Sequence, residues 1–100
     1  MSTPSNSGVR LLRVISALKG HSISGLTNGD LAKTLNIPAP TITRLLETLV
    51  SEGFAMRLDS GRYALSVKML QIAQTHANEI SRAQDRINEL NQRVHAGAHR

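Results

Sequence analysis

The stretch TNGDLAKTLNIPAPTITRLLETLVSEG, residues 27–53, constrains this chain more than any other. It holds two short helical patterns joined by Asn36-Ile37-Pro38. Thr27 with Asp30 three residues on is a helix start. A side-chain oxygen can accept the orphan N–H groups, and Asp30 puts negative charge where the helix dipole favours it. This is a capping box with Asp in place of the usual Glu or Gln. Leu31, Ala32 and Leu35 then form an apolar stripe. Asn36 is a stop signal, and the residue before Pro38 is biased away from helical angles. Pro40 suits the first turn of a second helix, where a missing N–H costs nothing. Ile42, Leu45, Leu46, Leu49 and Val50 recur at i, i+3, i+4, i+7 and i+8, which predicts one core-facing side. The other side carries Thr41, Thr43, Arg44, Glu47 and Thr48, and Gly53 ends the helix. The pattern is a helix-turn-helix.

One hundred residues support one small domain, with room for an appended element. Phe54 and Tyr63 are the only aromatics, so the core must be aliphatic. Without cysteine, disulfides and thiolate zinc sites are excluded. No apolar run approaches the roughly 18 residues that a membrane helix needs. The start, MSTPSNSG, lacks the charged-then-apolar design of a signal peptide. The expectation is a soluble, cytoplasmic protein. Twelve Lys and Arg against seven Asp and Glu give a net charge of +5. Residues 1–68 hold eight basic and four acidic residues, so most of the surplus lies there. A basic balance points to a polyanionic partner, although charge alone is weak evidence.

Along the chain, residues 1–7 are polar, contain Pro4 and read as a disordered arm. With no Lys or Arg, that arm is not built for a minor groove. From Gly8 to Lys19, Val9, Leu11, Leu12, Val14, Ile15 and Leu18 predict a core helix, with Arg10, Arg13, Ser16 and Lys19 turned out. Arg10 or Arg13 could touch phosphate from that helix. Residues 20–26 form a loop with Gly20, Ser22, Ser24 and Gly25 as breakers, and Leu26 could lie on a very short strand. After Gly53 the period changes to two: Phe54, Met56 and Leu58 alternate with Ala55 and Arg57. Asp59-Ser60-Gly61 is turn chemistry, and residues 62–65 form the returning strand. A β-hairpin directly after a helix-turn-helix is a wing. Arg57 and Arg62 flank its tip, within reach of a sugar-phosphate backbone; otherwise they are solvated strand residues that protect a sheet edge.

Ser66 is an N-cap candidate, and residues 67–95 contain no Gly or Pro. They predict one helix of about 29 residues, roughly 43 Å long. Val67, Leu70, Ile72 and Ala73 can pack on the preceding domain. Ile80, Ala83, Ile87, Leu90 and Val94 are spaced 3, 4, 3, 4, a heptad period with Ile80, Ile87 and Val94 at a and Ala83 and Leu90 at d. β-Branched a with Leu at d is the dimer-type pattern, and His76 at a d position weakens it. The g residues Glu79, Arg86 and Arg93 and the e residues Ala77, Gln84 and Asn91 leave the pairing parallel or antiparallel. The alternative is that the helix folds back on its own domain.

The chain therefore divides into a disordered arm (1–7), a winged helix-turn-helix domain (8–66), a long helix that pairs two copies (67–96) and a frayed tail (97–100). The fold class is mainly α: three helices, a β-hairpin wing and a long C-terminal helix.

Residues 8 to about 73 resemble the DNA-binding domain of the IclR-type winged helix-turn-helix transcription regulators. The matching text is GVRLLRVISAL, LTNGDLAKTLNIPAPTITRLLETLVSEGF and GRYALS. Its most specific pieces are Ile37-Pro38, Thr41 followed by Arg44-Leu45-Leu46, and Leu49 with Gly53-Phe54. The resemblance implies that residues 27–36 are the supporting helix and 38–52 the recognition helix, lying in the major groove. It implies that Ala39, Pro40, Thr41, Thr43 and Arg44 face DNA, and that the wing lies on a neighbouring backbone. Ala39 and Pro40 stand where family members often carry polar or basic residues, which implies fewer contacts at the helix tip, and Ser66 stands where Gly is common. Regulators of this family carry an effector-binding domain after a linker helix. With the sequence stopping at Arg100, the expectation is a stand-alone DNA-binding module, a format typical of phages and mobile elements.

No Gly-rich phosphate loop or Ser-His-Asp constellation is present, and no enzyme activity or cofactor is expected. His95 and His99 have metal-ligand spacing, but Gly97 weakens the helix and no carboxylate is adjacent, so no metal is expected either. Two functions remain. One is a homodimeric regulator, a repressor by preference, that uses Ala39, Pro40, Thr41, Thr43, Arg44 and Thr48 with wing residues Arg57 and Arg62 on duplex DNA. The other is a protein-interaction module that modulates a regulator or polymerase, favoured by the single Arg against Glu47 and Glu52 on the second helix.

Overall fold

The computed structural model describes residues 3–98. The order of elements is α1 (Asn6–Leu18), α2 (Asn28–Leu35), α3 (Ala39–Ser51), β1 (Ala55–Arg57), β2 (Tyr63–Leu65) and α4 (Val67–Ala98). The contacts divide the chain into two units, Met1–Met69 and Leu70–Arg100.

In the first unit the apolar stripes of α1, α2 and α3 meet. Val14, Leu18, Leu31, Ile42, Leu45, Leu46 and Leu49 are buried, so the core is aliphatic as composition requires. Phe54 and Tyr63 pack half-buried at its edge. Burying a Leu or Ile side chain contributes about 1.5–3 kcal/mol, so this cluster is the main source of the unit's stability.

The turn between α2 and α3 follows the chemistry of its residues. Thr27 Oγ1 accepts from the Asp30 N–H at 3.0 Å and Asp30 Oδ2 accepts from the Thr27 N–H at 3.1 Å, a complete capping box. Asn36 ends α2 in the left-handed region at φ 54°, which Asn tolerates better than most side chains. Ile37 plugs the core below the turn. The Pro38 carbonyl then accepts from Thr41 and Ile42, starting α3. At the far end, Gly53 takes φ 84° and the Phe54 N–H returns to the Leu49 carbonyl at 2.8 Å. Lys68 Nζ donates to the Glu52 carbonyl at 3.0 Å and lies 4.7 Å over the Phe54 ring, while the Ser66 hydroxyl donates to the Gly53 carbonyl. Ser66, the departure from a common Gly, thus ties the end of α3 to the start of α4.

The hairpin pairs Ala55 with Leu65, Met56 with Ala64 and Arg57 with Tyr63. Leu26 adds an antiparallel bridge to Tyr63 on the other edge, at the short strand the sequence suggests. Gly25, immediately before it, is obligatory. Its φ is 72°, and a Cβ there would stand 2.8 Å from the Tyr63 carbonyl oxygen and 2.9 Å from Arg62 Cβ.

Several boundaries and faces differ from expectation. Helix α1 starts at Asn6, inside the stretch read as an arm, because Ser5 Oγ accepts the Gly8 N–H at 3.2 Å. The strand phase is reversed. Ala55 is buried and Met56 is 44% exposed, because Phe54 is still bonded to α3 and the pleat starts one residue later. Val50 is 39% exposed at the margin of the α3 core face, and Leu12 is 65% exposed on α1. Helix α4 runs to Ala98, past Gly97 and into the segment read as a frayed tail; the rest of that tail, including His99, lies outside the described residues. None of the 32 residues of α4 is buried in the single chain, Val67, Leu70 and Ile72 included.

Candidate nucleic-acid interface

Helix α3 is held from below by Ile42, Leu45, Leu46 and Leu49, and its opposite side is open. Ala39, Pro40, Arg44, Glu47 and Thr48 are exposed there, and Thr41 and Thr43 are half-buried. No acidic residue lies in its first turn, and Pro38 supplies no side-chain cap. The positive end of the helix is therefore open to an anion.

The hydroxyls on this face are not equivalent. Thr43 Oγ1 accepts from Asn28 Nδ2 at 2.8 Å and donates to the Ala39 carbonyl at 3.1 Å. It couples α2 to α3, which leaves mainly its methyl group for outside contact. Thr48 Oγ1 donates to the Arg44 carbonyl at 3.0 Å, so it can only accept from a ligand. Thr41 makes no side-chain hydrogen bond among the described residues. Asn28, which orients Thr43, is a residue that sequence reading does not single out. Its only local signal is its place next to the Thr27 cap.

Concavities among the described residues flank α3. One lies against the N-terminal half of α1, with Ser7, Arg10, Thr41, Arg44 and Thr48 around Leu11 and Leu45. A second, of about 430 Å³, continues along α1 and is almost wholly apolar, formed by Leu11, Leu12, Ile15, Leu49 and Phe54 with Gly8, Thr48 and Glu52 at its margin. A third lies toward the hairpin and brings Arg57 and Tyr63 to Glu47, Val50 and Ser51. Arg57 thus faces the C-terminal half of α3. Arg62 lies near the start of α2, where its charge acts on Asp30. The Asp30 carboxyl is held below its ordinary range, first by the Thr27 N–H, then by the Thr27 hydroxyl, with smaller contributions from Arg62 and Lys33. The residues around α1 and α3 and the wing residue Arg57 therefore lie in separate concavities along α3, while Arg62 lies near α2.

The five residues expected to pair two copies, Ile80, Ala83, Ile87, Leu90 and Val94, are all exposed along α4. A Glu89–Arg93 ion pair at 3.3 Å and a Gln74–Asn78 hydrogen bond at 3.0 Å link neighbouring turns of that helix. Both are exposed, and such i,i+4 pairs add only about 0.2–0.5 kcal/mol each. Among the described residues there is no helix long and apolar enough to cross a membrane and no group of three or more potential metal ligands.

The family model described as the IclR helix-turn-helix domain matches residues 8–59. No curated protein matches the chain. Among solved structures, the crystal structure of an IclR family transcriptional regulator from Brucella abortus is similar to it, with a TM-score of 0.65 and 27% sequence identity. That similarity covers 73% of this chain and 28% of the Brucella protein, so the chain spans little more than a quarter of that regulator's length.

Proposed function

The chain belongs to the IclR helix-turn-helix family of DNA-binding transcription regulators, and from that premise we propose that it is a sequence-specific, double-stranded-DNA-binding regulator acting as a homodimer in the cytoplasm. The observation that carries this reading is the open face of α3. Its first turns offer Ala39, Pro40, Thr41 and Arg44 with no carboxylate before Glu47. An α-helix of about 10–12 Å diameter fits the major groove, where an Arg fork and a Thr methyl or hydroxyl match base edges. The wing supplies Arg57 and Arg62 for the neighbouring backbone.

Homodimerisation rests on α4. Ile80, Ile87, Leu90 and Val94 are each at least half exposed, in a heptad row that has no cover in one chain. A two-fold pair of such chains would read a palindromic site. A dimer seated over its site excludes other proteins from the same duplex, so repression is the sign we infer.

Arg44→Ala and Arg57→Ala are each expected to weaken affinity for the cognate duplex at least severalfold, measured by titration at constant salt. Unchanged affinity in both would sink this placement of the interface. A second reading, a protein-interaction module, draws on the apolar concavity at Leu12 and Phe54. It gains the lead if the purified chain shows no preference for any duplex while Leu12→Asp abolishes a stoichiometric protein complex.

A further inference from the structure

We propose that the concavity between α1 and α3 is a phosphodiester clamp that grips one backbone phosphate of the duplex, with Arg10 of α1 as its second arm. The proposal rests on the DNA-binding reading above and adds to it a site on a different helix.

The concavity has a volume of about 450 Å³. Its polar margin is Ser7, Arg10, Thr41, Arg44 and Thr48, with two guanidinium groups and no carboxylate. Among the described residues neither Arg10 nor Arg44 forms an ion pair. The lining thus offers two exposed planar forks of N–H donors with no carboxylate beside them, the donor geometry that matches a phosphate. Thr41 adds a hydroxyl that has no side-chain hydrogen bond among the described residues. The first turn of α1 carries no acidic residue, so its dipole is not opposed there. Arg13, one turn further along α1, does not line the concavity.

Position selects the source of the phosphate. Arg44, Thr41 and Thr48 belong to the helix read as lying in the major groove. That groove is about 12 Å wide, so a seated helix brings its flanks close to the phosphate ridges. On the side of α3 that carries Thr41, Arg44 and Thr48 the flanking element is α1, and Arg10 is the basic residue it brings to the concavity. Such a contact fixes register and orientation and carries no sequence information.

The test uses the full chain, with wild type, Arg10→Ala and Arg13→Ala, on the cognate duplex and a scrambled duplex across a salt series. Arg10→Ala is expected to weaken both duplexes severalfold by the same factor and to lower the salt slope by about 1, as for one lost phosphate contact. Arg13→Ala is expected to keep the wild-type slope. Single methylphosphonate linkages placed along the duplex should include one that weakens the wild type by a larger factor than it weakens Arg10→Ala. Arg10 is exposed on a helix, and an unchanged circular dichroism spectrum confirms that the variant folds. A wild-type slope in Arg10→Ala, or a change in its preference between duplexes, overturns the clamp alone. Inorganic phosphate binding to wild type but not to Arg10→Ala, with no coupled linkage in the duplex, assigns the site to a free anion and also overturns it. A wild type that binds no duplex overturns the function and the clamp together.

Discussion

The hydroxyl of Thr43 belongs to two elements at once, since it takes the Asn28 amide proton and gives its own to the Ala39 carbonyl. Its helical position marks it as outward-facing, but it is half-buried against α2. What sequence cannot show is that the packing of α2 on α3 brings a residue 15 positions away onto the same oxygen. Thr43→Val should leave the part-buried Asn28 amide unpaired and cost about 1 kcal/mol in denaturant unfolding. Asn28→Ala should cost a similar amount, and the double variant less than the sum. Unchanged stability in Thr43→Val would remove this role. Asp30 makes a different prediction. Folding lowers its pKa because the ionised carboxylate accepts the Thr27 N–H. The stabilisation is therefore present at neutral pH. It fades as pH falls below the ordinary aspartate range and is gone below the lowered value. Thermal melts over acidic pH should show this loss in the wild type and a flatter profile in Asp30→Asn. Identical profiles would mean that the box adds nothing to stability.

At the level of elements, the helix-turn-helix was legible because each signal was local. The Thr27 cap, Asn36 at positive φ and Pro38-Ala39-Pro40 specify their own conformations within a few residues. The heptad spacing of α4 was equally plain. The wing was only half legible. Its strands and turn follow from period-two alternation and Asp59-Ser60-Gly61, but alternation fixes the faces only once the first paired residue is known. Phe54 remains hydrogen-bonded to α3, so Ala55 rather than Met56 turns inward. Leu12 misleads for a related reason: α1 has more apolar residues than its neighbours can cover, and the surplus lines an open groove. The proposed pairing role of α4 makes a direct prediction. Ile87→Asp places a charge at an a position in the middle of the exposed row. Sedimentation should then show a monomer where the wild type shows a dimer. A monomeric wild type, or an undisturbed dimer in the variant, would contradict pairing through this face.

Taken as a whole molecule, the chain joins a basic domain to a helix with an uncovered apolar row. The net charge of +5 favours encounter with DNA of any sequence, and such encounters weaken steeply with salt. In the proposed binding mode, sequence preference comes from the few side chains on α3 that reach base edges, with arginines on α1 and the wing fixing register beside them. The most direct test is fluorescence anisotropy of the purified chain with a labelled duplex from its own upstream region and a scrambled duplex, each titrated across a salt series. We expect tighter binding to the upstream duplex and a steep salt slope for both, because phosphate neutralisation is shared and base readout is not. Equal, weak binding to the two duplexes at every salt concentration would contradict specific recognition by α3.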